Sequence, residues 1–314
     1  MSQTSTILNA VVPVFGVIAL GVVIRRLNWL TEEADKSLMR VCVNVLLPCL
    51  ILDNSLGNPA LSQPSNLLLA PLIAYLLVGL GMWIASLSRG LHGLREPAES
   101  RTFAGSVGLH NYGYVPLPLA LLLFDQATAG VLFLHIIGVE MAMWTLGVMV
   151  LSGGITRDWR KLLNAPLLAI VLALVLNALK WNENVPAVVG TGVHWLGGCA
   201  IPLALVLIGA IMADHLGDFH SARGWRVMFA SVGLRICILP LLFLAVAKFF
   251  PITVEHKRVL VLEAAMPSAV FPVVLAKLYR GDPATAIRVV LATSIISLVT
   301  IPLWIKFGLR WLGL

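Results

Sequence analysis

The chain has 314 residues, of which 59% are apolar and 12% charged, and it carries a formal net charge of +7. Its mean hydropathy is +0.93. Soluble globular domains run at about 45–50% apolar and about 25% charged residues, so a water-soluble enzyme, a secreted disulfide scaffold and a disordered tail are excluded, and a polytopic membrane protein remains.

A bilayer core about 30 Å thick takes about 20 apolar residues per spanning helix. In chain order the apolar segments cover residues 6–24, 37–53, 66–88, 103–124, 128–152, 164–181, 187–213, 227–249, 259–279 and 284–312. They predict an all-α protein of ten transmembrane helices. The apolar runs are continuous rather than alternating, which argues against a membrane barrel. Short loops with turn residues separate them, such as Gly57-Asn58-Pro59 and Gly281-Asp282-Pro283.

The first segment has no basic residues before it, and Arg25 and Arg26 follow its apolar run. That order predicts a spanning helix with its N-terminus outside rather than a signal peptide. Fifteen Lys and Arg residues then fall in the loops of one side and six on the other, with Arg235 inside the eighth segment. Basic loops face the cytoplasm, so both termini are expected outside. The positive charge is thereby assigned to membrane topology and not to nucleic acid, since no soluble basic segment carries interleaved aromatics. Cys42, Cys49, Cys199 and Cys237 all lie in apolar runs without metal-ligand spacing and read as packing residues.

The two halves repeat. Pro48 and Pro202, in the second and seventh segments, are 154 residues apart, as are Pro118 and Pro272 in the fourth and ninth. Leu8-Asn9-Ala10 and Leu163-Asn164-Ala165 repeat at 155. Each half (1–155 and 160–314) holds five segments, an odd number, so the second enters the membrane from the opposite side. The expected fold is two inverted five-helix repeats.

The fourth segment is interrupted by Gly108, Asn111, Gly113, Pro116 and Pro118, and the ninth by Pro267 and Pro272. Proline removes a backbone donor and clashes with the carbonyl four residues earlier. Two broken helices at corresponding positions are the best sequence pointer to a midplane binding site, and freed backbone N–H groups there favour an anion.

The stretch Asn111-Tyr112-Gly113-Tyr114-Val115-Pro116-Leu117-Pro118-Leu119-Ala120 resembles the fourth-helix motif of the auxin efflux carrier family, within the wider bile acid/sodium symporter-like superfamily. Asn44-Val45-Leu46-Leu47-Pro48, Ala200-Ile201-Pro202-Leu203-Ala204 and Glu263-Ala264-Ala265-Met266-Pro267 are similar to its second, seventh and ninth helices. The resemblance implies that helices 4 and 9 break and cross at the midplane. Helices 1, 2, 6 and 7 would form a scaffold, and helices 3–5 and 8–10 a mobile transport domain. It implies a substrate site at Asn111, Tyr112, Gly113, Pro116, Met266, Pro267 and Ser268, with Asn44. Plant members carry auxin, and bacterial members are linked to malate and malonate. The short connection between the fifth and sixth segments matches compact bacterial members, and so an inner membrane. A homodimer through the second and seventh helices is also implied. Some relatives have asparagine just after the ninth-helix proline, where this chain has Ser268.

Ionisable residues at membrane depth are costly and usually functional. Glu263, one turn before Pro267, is a candidate for binding H+ or Na+, and equally a glutamate capping polar backbone. Glu140 follows His135 by five residues, which leaves open a proton relay or a structural pair with Arg235. His110, beside Asn111, is either titratable or a hydrogen-bonded structural histidine. The expected function is a secondary transporter of a small organic anion in the lipid bilayer, working by alternating access, coupled to H+ or Na+ and using no other cofactor. The alternatives are an intramembrane enzyme or a passive channel or sensor. The chain lacks an HExxH pair, a Cys–His cluster and a phosphate loop, and its symmetry lies within one chain rather than around a pore.

Overall fold

The computed structural model describes residues 3–88, 90, 93–154, 163–215 and 222–314. Arg89, Arg157, Arg160 and Lys161, four of the basic residues expected inside, and the boundary between the halves lie outside the described residues. The described chain is helical, labelled here α1 (Gln3–Arg26), α2 (Glu32–Ser55), α3 (Pro64–Leu87), α4 (Pro97–Gly108), α5 (Pro116–Leu123), α6 (Gln126–Ser152), α7 (Ala165–Ala178), α8 (Ala187–His215), α9 (Gly224–Phe249), α10 (Val254–Ala265), α11 (Phe271–Leu278) and α12 (Pro283–Leu312). Seven of these (α1, α2, α3, α6, α8, α9 and α12) are long and apolar enough to cross a membrane. The protein is an integral membrane protein, and its outward surface fits that setting: Leu68, Trp195, Phe229 and Val299 are all largely exposed. Such a surface is stable against lipid and not against water.

Small residues let helices meet closely, the usual packing device where lipid removes the hydrophobic drive. A Cβ on Gly209 of α8 would collide with the Ile18 carbonyl of α1, and one on Gly21 would collide with Val206 of α8. Gly138 of α6 lies equally close to the Pro71 carbonyl of α3, and Gly108 at the end of α4 to the backbone of Met82.

Polar contacts gather at two ends of the helices. At one end Arg25 of α1 pairs with Asp35 of α2 and, at 3.1 Å, with Asp214 of α8. There too Arg101 of α4 reaches the Leu151 carbonyl of α6, and the Asp282 N–H before α12 donates to Thr102 of α4. At the other end Asp53 of α2 meets His194 of α8 at 3.0 Å, and Asp125 before α6 meets Arg258 of α10 at 2.8 Å. Thr253 before α10 donates to Asn66 of α3, and Asn177 of α7 donates to the Ser55 carbonyl.

Three long helices contain a π turn, at Cys42–Leu46 in α2, Met143–Gly147 in α6 and Gly233–Ile238 in α9. In α9 the turn precedes Pro240, whose missing N–H leaves the Ile236 carbonyl without its helical donor. Trp304 of α12 supplies that donor through Nε1 at 2.8 Å. The same turn presents Arg235 to the protein interior, where it is fully buried.

Candidate functional site

The two interrupted helices meet at their breaks. The link 109–115 joins α4 to α5, and the link 266–270 joins α10 to α11. Met266 is extended (φ −76, ψ 141), as steric contact with the following Pro267 requires. The links pair in antiparallel fashion about His110 and Ser268. The Asn111 N–H donates to the Pro267 carbonyl at 2.8 Å, and the Ala269 N–H donates to the Leu109 carbonyl at 2.9 Å. Each link thus satisfies backbone groups that the other's break set free, which is what makes non-helical backbone tolerable inside a membrane protein.

Side chains complete the crossing. Asn111 is 8% exposed, and its Oδ1 accepts the Val115 N–H at 3.4 Å, bracing the turn before α5 and leaving the amide NH2 outside that bond. The Ser268 N–H donates to Thr293 of α12 at 3.2 Å. Arg235 reaches across from α9, donating through Nε to the Met266 carbonyl and through a terminal nitrogen to the Glu263 carbonyl, both at 2.9 Å. Its charge therefore sits at the carboxyl end of α10, where the helix dipole favours a cation.

A buried polar cluster lies against the crossing. His110 Nε2 stands 2.9 Å from Glu263 Oε2, an ion-pair distance, although the two are not aligned as a hydrogen bond. His135 of α6 packs 6.2 Å from His110, and His256 of α10 packs 6.1 Å from His135, measured between ring centroids. All four residues are fully buried. One donor atom from each of His110, His135 and Glu263 can be drawn within 4.8 Å of one another, and these are donor types that metals take. The Arg235 guanidinium lies 5.3 Å from the Phe243 ring, whose edge also contacts His110 at 5.2 Å. That fixed positive charge opposes a divalent cation in the same place.

The crossing brings together Asn111, His110, Met266, Pro267, Ser268 and Glu263, with Tyr112 and Gly113 in the same link and Pro116 opening α5. Asn44 is placed elsewhere: it is exposed on the π turn of α2 and donates to the Arg40 carbonyl at 2.9 Å. The pairing of Glu140 with Arg235 is not formed. Glu140 instead accepts from the Tyr112 hydroxyl at 3.2 Å and from Asn164 at 2.6 Å. The reason is geometric: Glu140 lies on the side of α6 that meets α7, whereas the α9 π turn directs Arg235 to α10. Glu140 and Asn164 are the polar groups of a small apolar cleft lined by Ile51, Phe133, Ile137 and Leu167. Sequence reasoning missed Thr293 and His256. His256 precedes Glu263 by seven residues, a spacing that puts both on one helix face.

The sequence pattern of the family described as "Membrane transport protein" matches residues 6–157 and 148–305. An uncharacterized transporter of Methanothermobacter thermautotrophicus is 29% identical over 308 residues, 97% of this chain and 98% of that protein. An uncharacterized transporter of Methanocaldococcus jannaschii is 25% identical over 88% of this chain and 90% of its own length. An auxin efflux carrier component of Oryza sativa subsp. japonica is 28% identical over 157 residues, 48% of this chain and 25% of the plant protein. The family and these relatives are transporters and not enzymes. With a family match along nearly its whole length and two interrupted helices paired in its interior, the chain belongs to the membrane transport protein family that includes the auxin efflux carriers.

Proposed function

We propose that the protein is a secondary transporter that moves a small organic anion, such as malate, malonate or an auxin-like acid, by alternating access. The observation that carries this reading is the antiparallel pairing of the two breaks, from Asn111 to Pro267 and from Ala269 to Leu109. A structure in which two helices stop and cross inside an apolar protein has a use where backbone and amide donors must face a ligand at membrane depth. The carboxylate is received by the Asn111 NH2 group and the link around Tyr112, Gly113, Pro116, Met266, Pro267 and Ser268. Asn44, on α2, meets it only after a domain displacement.

The ten-helix reading counts α4 with α5, and α10 with α11, as one crossing each, and α7 as a tenth. Two inverted five-helix repeats (1–155 and 160–314) are supported by the equal offsets of 154 residues from Pro48 to Pro202 and from Pro118 to Pro272. They also accord with the alternation of polar contacts between two ends: Arg25, Asp35 and Asp214 at one, Asp53, His194, Asp125 and Arg258 at the other. In this reading α1, α2, α7 and α8 form the scaffold and the rest move against it. Both termini lie outside a bacterial inner membrane, and a second copy docks through α2 and α8.

Coupling to H+ or Na+ is assigned to Glu263, with His110 beside it and Glu140 reached through Tyr112. Purified protein in proteoliposomes tests the whole reading. Saturable uptake of malate, malonate or indole-3-acetate, accelerated by a proton or Na+ gradient, is expected. Correctly inserted protein that moves none of them refutes it. Glu263→Gln is expected to retain anion exchange and lose the dependence on the gradient, and retained dependence removes Glu263 from coupling.

A further inference from the structure

Three histidines are fully buried in one line through this protein, and no ring nitrogen of any of them has a hydrogen-bond partner among the described residues. Buried imidazoles are ordinarily held by a carbonyl, carboxylate or water, because an unsatisfied polar group costs about 1–3 kcal/mol. Here the lapse recurs three times along one path. His256 packs 6.1 Å from His135, and His135 packs 6.2 Å from His110, between centroids. His110 ends the line at 2.9 Å from Glu263, whose own carboxylate oxygens have no hydrogen-bond donor.

The line runs from the buried side of the first turn of α10, whose neighbouring residues reach the surface, to the crossing. His256 sits in the first turn of α10, flanked by Glu255, Lys257 and Arg258, and its N–H donates to Thr253, which in turn donates to Asn66. Glu263 lies seven residues further along the same helix, about 10 Å by helical rise. The surface end is the one that holds the Asp125–Arg258 contact, the side given to the outside by the count of basic loops. Every member belongs to α4, α6, α9 or α10 or the links between them, so the line moves as one piece if the crossing moves. The donor atoms of His110, His135 and Glu263 are separated by up to 4.8 Å, a gap that one water bridges with two ordinary hydrogen bonds.

We infer that His256, His135 and His110 form a relay that carries a proton from the outer surface to Glu263 at the crossing. The inference rests on the coupled-carrier reading above and supplies its ion and its route. The steps balance without a co-reactant: each imidazole accepts a proton on one ring nitrogen and releases the proton held on the other, and the last proton comes to rest on the Glu263 carboxylate. The groups that face the line set its charge. Arg235 from α9 is positive beside Glu263, the Tyr112 ring packs 6.5 Å from His110 with its hydroxyl on Glu140 of α6, and Glu255, Lys257 and Arg258 stand at the outer end. Arg235 and ionised Glu263 together are neutral, so a bound monoanion (indole-3-acetate, or malonate that keeps one proton) leaves the buried site with one negative charge. One proton delivered by the relay removes it, and uncompensated charge at this depth is what the membrane penalises. Anion and proton then load together.

The test uses the full-length chain in proteoliposomes, with labelled malonate and indole-3-acetate run in parallel and a pH dye trapped inside. Counterflow exchange needs no net proton movement, whereas net uptake does. Wild type is expected to acidify the lumen during net uptake. In His135→Gln and His256→Gln, counterflow is expected to remain, while proton-linked net uptake falls by about a hundred-fold, the scale of a lost proton-transfer group. Unchanged proton-linked uptake in both variants overturns the relay, and so does wild-type uptake without acidification, which leaves the carrier reading intact. Absence of both exchange and uptake of either acid in wild type counts against the carrier reading instead. A second measurement needs neither a variant nor a substrate. In water-edited solid-state NMR of wild-type protein with 15N-labelled imidazoles in bilayers, the relay requires water contact at the His135 ring, and a dry His135 overturns it.

Discussion

The proposed site gives Asn111 two tasks for one amide. Its oxygen braces the turn before α5 by a long 3.4 Å bond from the Val115 N–H, which in the proposed site leaves the NH2 group as the donor for a ligand. Asn111→Ala is therefore expected to lower anion transport about ten-fold or more while costing only about 0.5–1.5 kcal/mol of stability, the scale of one lost hydrogen bond. Uptake and a thermal melt on the same sample check both halves. Asp125 makes the contrasting case of a purely structural carboxylate. Burial pushes its carboxyl up, but the Thr128 N–H and hydroxyl and the Arg258 guanidinium outweigh that and hold it below its usual range. A depressed carboxyl stabilises the fold above its unfolded pKa and loses that contribution as the pH falls through the folded value. Asp125→Asn is thus expected to melt lower than wild type at pH 7, with the difference closing below about pH 4. A difference that persists at low pH refutes the assignment.

At the scale of elements, prolines and glycines decide where backbone stops being helical and how near helices come. Pro116 and Pro267 were legible as breaks because proline cannot continue a helical ladder. What fills a break was not legible, since Pro267 and Asn111 are remote in the chain and their bond depends on two helix ends arriving side by side. The same holds for Arg235. Its burial was foreseeable, but its partners are the Met266 and Glu263 carbonyls and not Glu140, because a π turn re-aims it. No periodicity in an apolar helix announces a π turn. Close helix contact yields a sharper prediction: Gly209→Ala places a methyl against the Ile18 carbonyl, and overpacking of this kind costs about 1–3 kcal/mol. Thermal stability in detergent is expected to fall, whereas Gly198→Ala on the same helix, with open space at its Cβ, leaves it unchanged.

At the scale of the molecule, the proposed cycle requires the crossing to slide past α1, α2, α7 and α8. The Tyr114 hydroxyl in the first link lies 4.0 Å from the Met39 sulfur of α2, so this contact spans the two proposed bodies. With Cys42, Cys49, Cys199 and Cys237 replaced by serine, Met39→Cys with Tyr114→Cys joined by a short dithiol linker is expected to arrest transport, and reduction of a cleavable linker to restore it. Transport by the fully cross-linked protein refutes relative motion at this boundary. The two polar ends of the helices belong to the same scale: Asp53 with His194 and Asp125 with Arg258 hold one end, Arg25 with Asp35 and Asp214 the other.

Composition and hydropathy determined by themselves that this is a helical membrane protein, because long continuous apolar runs with so few charges lie far from the make-up of water-soluble domains and match spanning helices. The proline spacing marked the two interruptions, and the motifs around Asn111 and Glu263 carried the family. The pairing of the links, the placing of Arg235 on α10 and the line of His256, His135 and His110 were decided only by the tertiary structure. Local sequence encodes which backbone groups are freed. The groups that satisfy them come from helices far apart in the chain, and in an interior without bulk water the packing of those helices selects the partner.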